Sequence, residues 1–249
     1  MKAREWVHGL KSGLKSDSVL LLSGGLDSCT VLGIARSEGL TPVALSFSYG
    51  QRHSRELDSA RKVASHFGVE HVIVGVDLGK TGGSSLTDEN IEVEHRNIAE
   101  IGTRMPSSYV PARNSVFLSV AFGLAESLGV SRVFIGANSL DYSGYPDCRQ
   151  EYFNAMEKAL NLGTSDAKPV EIRISAPLIR LSKKEIIQRG MSLGVPYSMT
   201  WSCYEGGDQA CGLCDSCILR LKGFAEAGYE DPLEYREYPE FYTDFLKKR

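Results

Sequence analysis

The sequence predicts a doubly wound α/β fold, a mostly parallel sheet with helices on both faces, extended by a small C-terminal subdomain. Three observations predict it. Short runs rich in Val and Ile alternate with helically spaced apolar series from Ser18 to Gly194. Those runs are nearly continuous in apolar residues, as strands covered on both faces require. After Pro196 the pattern breaks into a cysteine cluster, a short helix and an aromatic tail, which sets the expected division at 1–195 and 196–249.

Taken in order, "SVLLLS" (18–23) reads as a buried strand and "DSCTVLGIARSEG" (27–39) as a helix closed by Gly39. "PVALSFSYG" (42–50) is a second strand, "HSRELDSARKVASHFG" (53–68) a second helix and "HVIVGVDL" (71–78) a third strand. Residues 79–111 are polar and read as a long irregular insertion, of the kind that often serves as a lid or binding loop. A long apolar helix (112–129) and a strand (132–138) follow. The loop "SLDYSGYPDC" then leads to a helix over 150–163. A fifth strand (170–179) precedes a helix over 182–194, which Ser182 caps with Glu185 at the capping-box position. The loops starting at Ser23, Tyr49, Asn138 and Pro177 all follow strands. In a parallel sheet they share one rim, where ligands of such sheets bind.

Composition narrows the function classes. The chain has 249 residues, 42% hydrophobic and 24% charged, enough apolar material for a sizeable core. Its net charge of -3 gives no overall basic field, so direct nucleic-acid binding is not expected. The first segment, "MKAREWVHGLKSGLKSD", has no signal-peptide core, and no apolar run approaches the roughly 18 residues of a membrane helix. A cytoplasmic protein without a membrane partner is expected.

The turn "SGGLDS", Ser23 to Ser28, joins the first strand to the first helix. Unpaired N–H groups and the positive helix end face outward there, and glycines let the backbone approach an oxyanion. A phosphate or pyrophosphate would suit the site; a plain capped turn is the alternative. The turn is neither a P-loop nor a dinucleotide fingerprint. Asp27 is oddly negative for a phosphate site. A magnesium-related role would explain it, and so would an ordinary carboxylate at a helix start.

Cys203, Cys211, Cys214 and Cys217 supply four thiolates within fifteen residues. In a reducing compartment such a cluster points to tetrahedral Zn²⁺ in a closed, structural site. An iron–sulfur cluster is the alternative, although no Cys-Pro follows Cys217. Cys29 and Cys148 read as ordinary buried or loop cysteines. The tail, with Tyr229, Tyr235, Tyr238, Phe241, Tyr242 and Phe245, either docks on its own chain or forms a subunit interface; a homodimer is expected.

"SGGLDS" resembles the signature of the PP-loop ATP pyrophosphatases, in which this loop holds the pyrophosphate of ATP while AMP is transferred to a substrate oxygen. Further stretches narrow the resemblance: "SYGQRH" (48–53), "YVPARN" (109–114), "GANSLDYSGYPDCR" (136–149), "APLIRLSKKEI" (176–186) and "SCYEGGDQACGLCDSCILRLKGF" (202–224). Together they are similar to the 7-cyano-7-deazaguanine synthase family over about Ser18 to Phe224. One small departure falls in "GGSSLT" (82–87).

The resemblance implies that 7-carboxy-7-deazaguanine and ammonia become the nitrile at the cost of two ATP, releasing AMP and pyrophosphate. It implies ATP as co-substrate, Mg²⁺ with it, and a place in queuosine-type nucleoside biosynthesis. Leu22, Ser23, Gly24, Gly25, Leu26, Asp27 and Ser28 are the expected nucleotide contacts, with adenine near Leu45 to Tyr49. Lys183, Asp27 and Arg113 are the expected catalytic residues. Arg113 suits phosphate or carboxylate, and Lys183 matches the family's phosphate-transfer lysine. Gln51, Arg52, His53 and Asn114 are expected at the substrate, with His53 open between proton carrier and helix cap. Asp141 or Asp147 would accept from the base's N–H edge, Tyr142 or Tyr145 would stack on it, and Arg149 would meet the carboxylate. A tRNA-thiolating enzyme of the same fold and a non-catalytic zinc-ribbon adaptor are the competing readings.

Overall fold

Ser18, Val19, Leu20 and Leu21 are buried at every position and form the central strand, β1 (Ser18–Leu21), of a parallel sheet in this computed structural model. The structure describes residues 16–140, 145–164 and 171–249. Four more strands flank β1: β2 (Pro42–Ser48), β3 (His71–Gly75), β4 (Arg132–Phe134) and β5 (Arg173–Ser175). The order is β3-β2-β1-β4-β5, with every neighbouring pair parallel. Val19 stands beside Val43 of β2 on one side and Val133 of β4 on the other.

Side chains alternate across the pleat and build two apolar layers. Leu20, Leu22, Ala44 and Phe134 face one layer, completed by α1 (Leu26–Ser37), α2 (Arg55–Phe67) and α5 (Lys183–Ser192). Val19, Leu21, Leu45, Phe47, Val133 and Ile135 face the other, completed by α3 (Arg113–Leu128) and α4 (Gln150–Leu162). Helices therefore cover both faces. The chain leaves β1 toward β2 on one side and returns to it through β4 on the other, so the switch point lies beyond the ends of β1 and β4.

Every strand ends before the span its apolar run predicts, β4 and β5 by the most. β4 stops at Phe134 and β5 at Ser175, against expected spans of 132–138 and 170–179; Val170 lies outside the described residues. Pro177 has no N–H to continue a ladder, and Ala176 to Leu181 curl into turns, Ile179 N–H donating to Ala176 O at 3.1 Å. The continuation of β4 serves the rim instead: Ser139 N–H reaches Ile179 O, and the Asn138 amide donates to Leu181 O. β3 is one edge of the sheet, so Val72 and Val74 are only half-buried and Ile73 is exposed.

The insertion, 79–111, contains one short 3₁₀ turn, Gly79–Thr81, and no longer helix or strand. Side chains tie it down. Arg52 donates to the carbonyls of Asp88, Glu89 and Ile91, and Arg96 forms a buried pair with Asp215.

The segment after Pro196 carries α6 (Asp215–Ala227) and α7 (Glu240–Lys247). It extends the first apolar layer: Leu221, Phe224, Tyr235 and Tyr242 pack with Leu32, Ile186 and Tyr197. Arg220, buried in α6, donates to both carboxylate oxygens of Asp231 at 2.7 and 2.9 Å, to Thr200 and to Tyr197 O. The tail docks on its own chain, with Tyr235 and Tyr242 buried. The aromatic pattern that suggested a homodimer is thus largely accounted for within one chain. No helix among the described residues is long and apolar enough to cross a membrane.

Candidate active site

Beyond the end of β1 the chain turns at Ser23 to Gly25 and enters α1. No side chain caps this helix; Gly25 occupies the N-cap in extended conformation. The first-turn N–H groups are left facing a cavity of about 260 Å³ at the switch point. Inside the turn, Ser23 Oγ lies 3.0 Å from Ser28 Oγ, and Ser28 Oγ donates to Gly25 O. Gly24 has φ of 85°, and a Cβ there would sit 2.1 Å from Glu56 O. Its lack of a side chain lets α2 press against the turn, and it does not line the cavity. Gly136, after β4, serves similarly: a Cβ would come within 2.9 Å of Ser28 N.

Trp201 braces the turn from behind. Its N–H donates to Gly24 O at 2.9 Å, its indole N–H to Cys203 O at 3.0 Å, and the Arg55 guanidinium lies 4.7 Å over its ring.

Lys183 enters from the first residue of α5, a helix fixed by the capping box of Ser182 and Glu185. Its Nζ lies 2.8 and 2.9 Å from the two oxygens of Asp27. Gly223 of α6 makes room for the lysine stem, since a Cβ there would lie 2.3 Å from Lys183 Cγ. Lys183 and Asp27 both line the cavity.

The opposite wall is aromatic and charged. Phe47 and Phe117 stack with centroids 4.0 Å apart, and Tyr49, Tyr145 and Tyr204 stand near them around the cavity. Arg113 opens α3, directly after Ala112, whose φ of 56° is the one positive value at a non-glycine among the described residues. Such strain costs on the order of 1–3 kcal/mol and marks positions that the fold over-determines. Burial disfavours the Arg113 charge, but the surrounding oxygens of Tyr49, Tyr145 and Tyr204 outweigh it and hold the guanidinium cationic. Glu56, from the first turn of α2, also lines the cavity. Burial pushes its carboxyl up to about 7, with Arg113 pulling against that shift.

The cavity therefore brings together Leu22, Ser23, Gly25, Leu26, Asp27, Ser28, Arg113, Asn114, Tyr145 and Lys183, along with Leu45, Phe47 and Tyr49. Other expected site residues stand outside it. Gln51 braces the backbone after β2, accepting from Tyr49 N–H at 2.7 Å and donating to Phe47 O. Arg52 holds the insertion. His53 packs against Gly206, where a Cβ would come within 2.7 Å of its ring, and burial lowers its pKa. Asp147 is turned toward the start of α3, accepting from Asn114 N–H at 3.4 Å, while the Asn114 amide donates to Asp147 O. Arg149 is exposed at the N-cap of α4. Asp141 and Tyr142 lie outside the described residues. Sequence reasoning missed Glu56, Phe117, Trp201, Tyr204 and Arg220; for Glu56 the available signal was its place in the first turn of a helix that follows a rim loop.

The sulfurs of Cys203, Cys211, Cys214 and Cys217 lie within 4.8 Å of one another, all buried, and could hold a metal ion. The N–H groups of Cys211, Leu213 and Cys214 point at sulfur, at 3.3, 3.4 and 3.3 Å. His95 and Glu205 approach Cys211 from outside, with Glu205 engaged by His95 and Arg236.

A parallel 3-2-1-4-5 sheet, with an uncapped helix start, a lysine and an arginine converging beyond its switch point, is the architecture of a nucleotide-binding α/β protein. Comparison with known proteins gives the particular family. The model of the queuosine biosynthesis protein QueC matches residues 17–228, and the chain belongs to the QueC family. It is 58% identical over 235 residues to the 7-cyano-7-deazaguanine synthase of Thermoplasma acidophilum, covering 94% of this chain and 98% of that protein. The synthase of the same name from Nostoc sp. is 53% identical over 221 residues, covering 88% and 96%.

Proposed function

We propose that the chain converts 7-carboxy-7-deazaguanine and ammonia into 7-cyano-7-deazaguanine, using two ATP and releasing AMP and pyrophosphate. The observation that carries the reading is the convergence on one cavity of the uncapped start of α1, the Lys183–Asp27 pair and Arg113. A carboxylate is a poor electrophile until AMP is transferred to one of its oxygens, with pyrophosphate leaving. The turn from Ser23 to Ser28 suits the leaving pyrophosphate, whose charge grows as the bond to the α-phosphorus breaks. Lys183 suits the same charge. Arg113 suits the substrate carboxylate, and the Phe47–Phe117 and Tyr145 walls suit flat rings. Ammonia then displaces AMP to leave an amide. Adenylation of the amide oxygen permits elimination to the nitrile in the same place, because each round presents an oxygen on the same carbon to an α-phosphorus: the first oxygen leaves on AMP and the second remains as the amide oxygen.

ATP would bring Mg²⁺, for which Asp27 is the candidate carboxylate. The four cysteines are read as a structural zinc site within a unit spanning 196–249. A tetrahedron with Zn–S bonds of ~2.3 Å has edges of about 3.8 Å. Cys211 Sγ and Cys217 Sγ are 3.8 Å apart. Four sulfurs would fill the coordination and leave no place for a reactive water. We place the protein in the cytoplasm. Two exposed tyrosines, Tyr229 and Tyr238, are what the tail offers a second copy in a homodimer.

A thiolating enzyme would need a reactive thiolate in the cavity. Cys148 is the free thiol there, and burial pushes it up to about 12, so it stays protonated. The test is to incubate the protein with ATP, ammonia and the carboxylated base and follow products by mass. Nitrile with AMP and pyrophosphate is the expected result; thiolated tRNA without nitrile would overturn the reading.

A further inference from the structure

The nitrogen that enters as ammonia must lose every proton before it ends as a nitrile, and those protons need an acceptor. Two carboxylates line the cavity among the described residues, Asp27 and Glu56. Asp27 is held at both oxygens by Lys183, at 2.8 and 2.9 Å. The Glu56 carboxylate has no hydrogen bond from a described residue and faces the cavity near Arg113 and Tyr49. Its backbone abuts the glycine turn: the missing Cβ of Gly24 is what lets Glu56 O approach. A carboxylate is thereby held between the turn that suits the phosphates and the arginine that suits the substrate's acid group.

Resting on the function proposed above, we propose that Glu56 is the proton acceptor for the nitrogen in both halves of the reaction. In the first half, the nitrogen lone pair forms the C–N bond and the C–O bond to AMP breaks, its electron pair leaving on AMP. A proton from the new N⁺–H passes to the Glu56 carboxylate. In the second half, the amide oxygen attacks the α-phosphorus and pyrophosphate leaves. The imidate nitrogen then gives up its protons in turn, C≡N forms, and the C–O bond breaks with its pair on AMP. Glu56 passes each proton to solvent before taking the next. A carboxyl raised to about 7 by burial is matched to accepting and releasing protons near neutrality.

The experiment compares wild type, E56Q and E56D in two assays. ATP–pyrophosphate exchange with the carboxylated base and no ammonia reads adenylation alone; mass detection reads amide and nitrile. In E56Q, nitrile formation should fall about 100-fold or more relative to exchange, as loss of a general base predicts. The acid limb of the wild-type kcat profile near neutrality should vanish with it. E56D, which keeps a carboxylate at shorter reach, should recover part of the nitrile rate and restore an acid limb. Parallel loss of exchange and nitrile in both variants would overturn the inference in favour of a binding role. So would E56Q forming nitrile within about threefold of wild type. Absence of exchange in the wild type itself would instead sink the parent function, and this inference with it.

Discussion

Lys183 Nζ sits between the two carboxylate oxygens of Asp27, at 2.8 and 2.9 Å, and joins the start of α5 to the start of α1 across 156 residues of sequence. On the proposed function, the pair would aim the lysine at the uncapped helix end. K183Q removes the charge and should lower ATP–pyrophosphate exchange by on the order of 100-fold or more. D27N leaves the lysine present but unaimed and should cost less, about tenfold. Equal rates in K183Q and wild type would remove Lys183 from the chemistry.

Gly223 gives an independent handle on the same lysine. A Cβ at 2.3 Å from Lys183 Cγ forces the stem aside from a position, Gly223, that does not itself line the cavity. G223A should fold, lose about tenfold in exchange rate, and show little change in KM for the base. Urea denaturation beside the kinetic assay separates this outcome from simple instability.

Trp201 links the cysteine cluster to the turn before α1. Cys203 O holds the Trp201 indole, and the Trp201 backbone N–H holds Gly24 O. Stripping the metal with a chelator should lower the melting temperature and also weaken ATP binding, by about tenfold or more. Calorimetric titration of ATP into stripped and reloaded protein checks it. Unchanged affinity after stripping would mean that the turn stands without the cluster.

Glu56 should also leave a mark on stability. Its folded-state carboxyl is raised from the ordinary range to about 7, chiefly by burial. The unfolded chain therefore releases this proton first as pH rises. Stability from this group is full below its unfolded pKa and falls through the interval up to about 7. E56Q should be more stable than wild type at pH 8, with the gap closing toward pH 4.5. Denaturation midpoints across that range test it; a gap that widens at low pH would contradict the shift.

How much of this was legible in sequence follows from how local each feature is. β1, the glycine turn and α1 are contiguous, so an apolar run, a turn and a helical period reveal them together. The four sulfurs lie within fifteen residues, and ligand chemistry names them without a fold. The Lys183–Asp27 contact cannot be read that way, because its partners meet only when α5 packs beside α1. Gly24 was legible as a required glycine, but the reason the structure gives is a different one, the approach of α2. Gln51, Arg52 and Asp147 sit in the motifs that mark the family, yet they act on backbone, insertion and helix start in this structure. β4 and β5 fell short of their apolar runs because rim turns take over their backbone groups. Tyr235 and Tyr242 were open between docking on their own chain and a subunit interface, because a sequence does not show which surface an aromatic covers.

The central claim is that the backbone from Gly25 to Ser28 holds the pyrophosphate of ATP. A crystal structure with a non-hydrolysable ATP analogue tests it most directly. The account predicts β- and γ-phosphate oxygens within hydrogen-bond distance of those N–H groups, with Lys183 Nζ on the same phosphates. Phosphates bound elsewhere on the rim, with the turn empty, would contradict it.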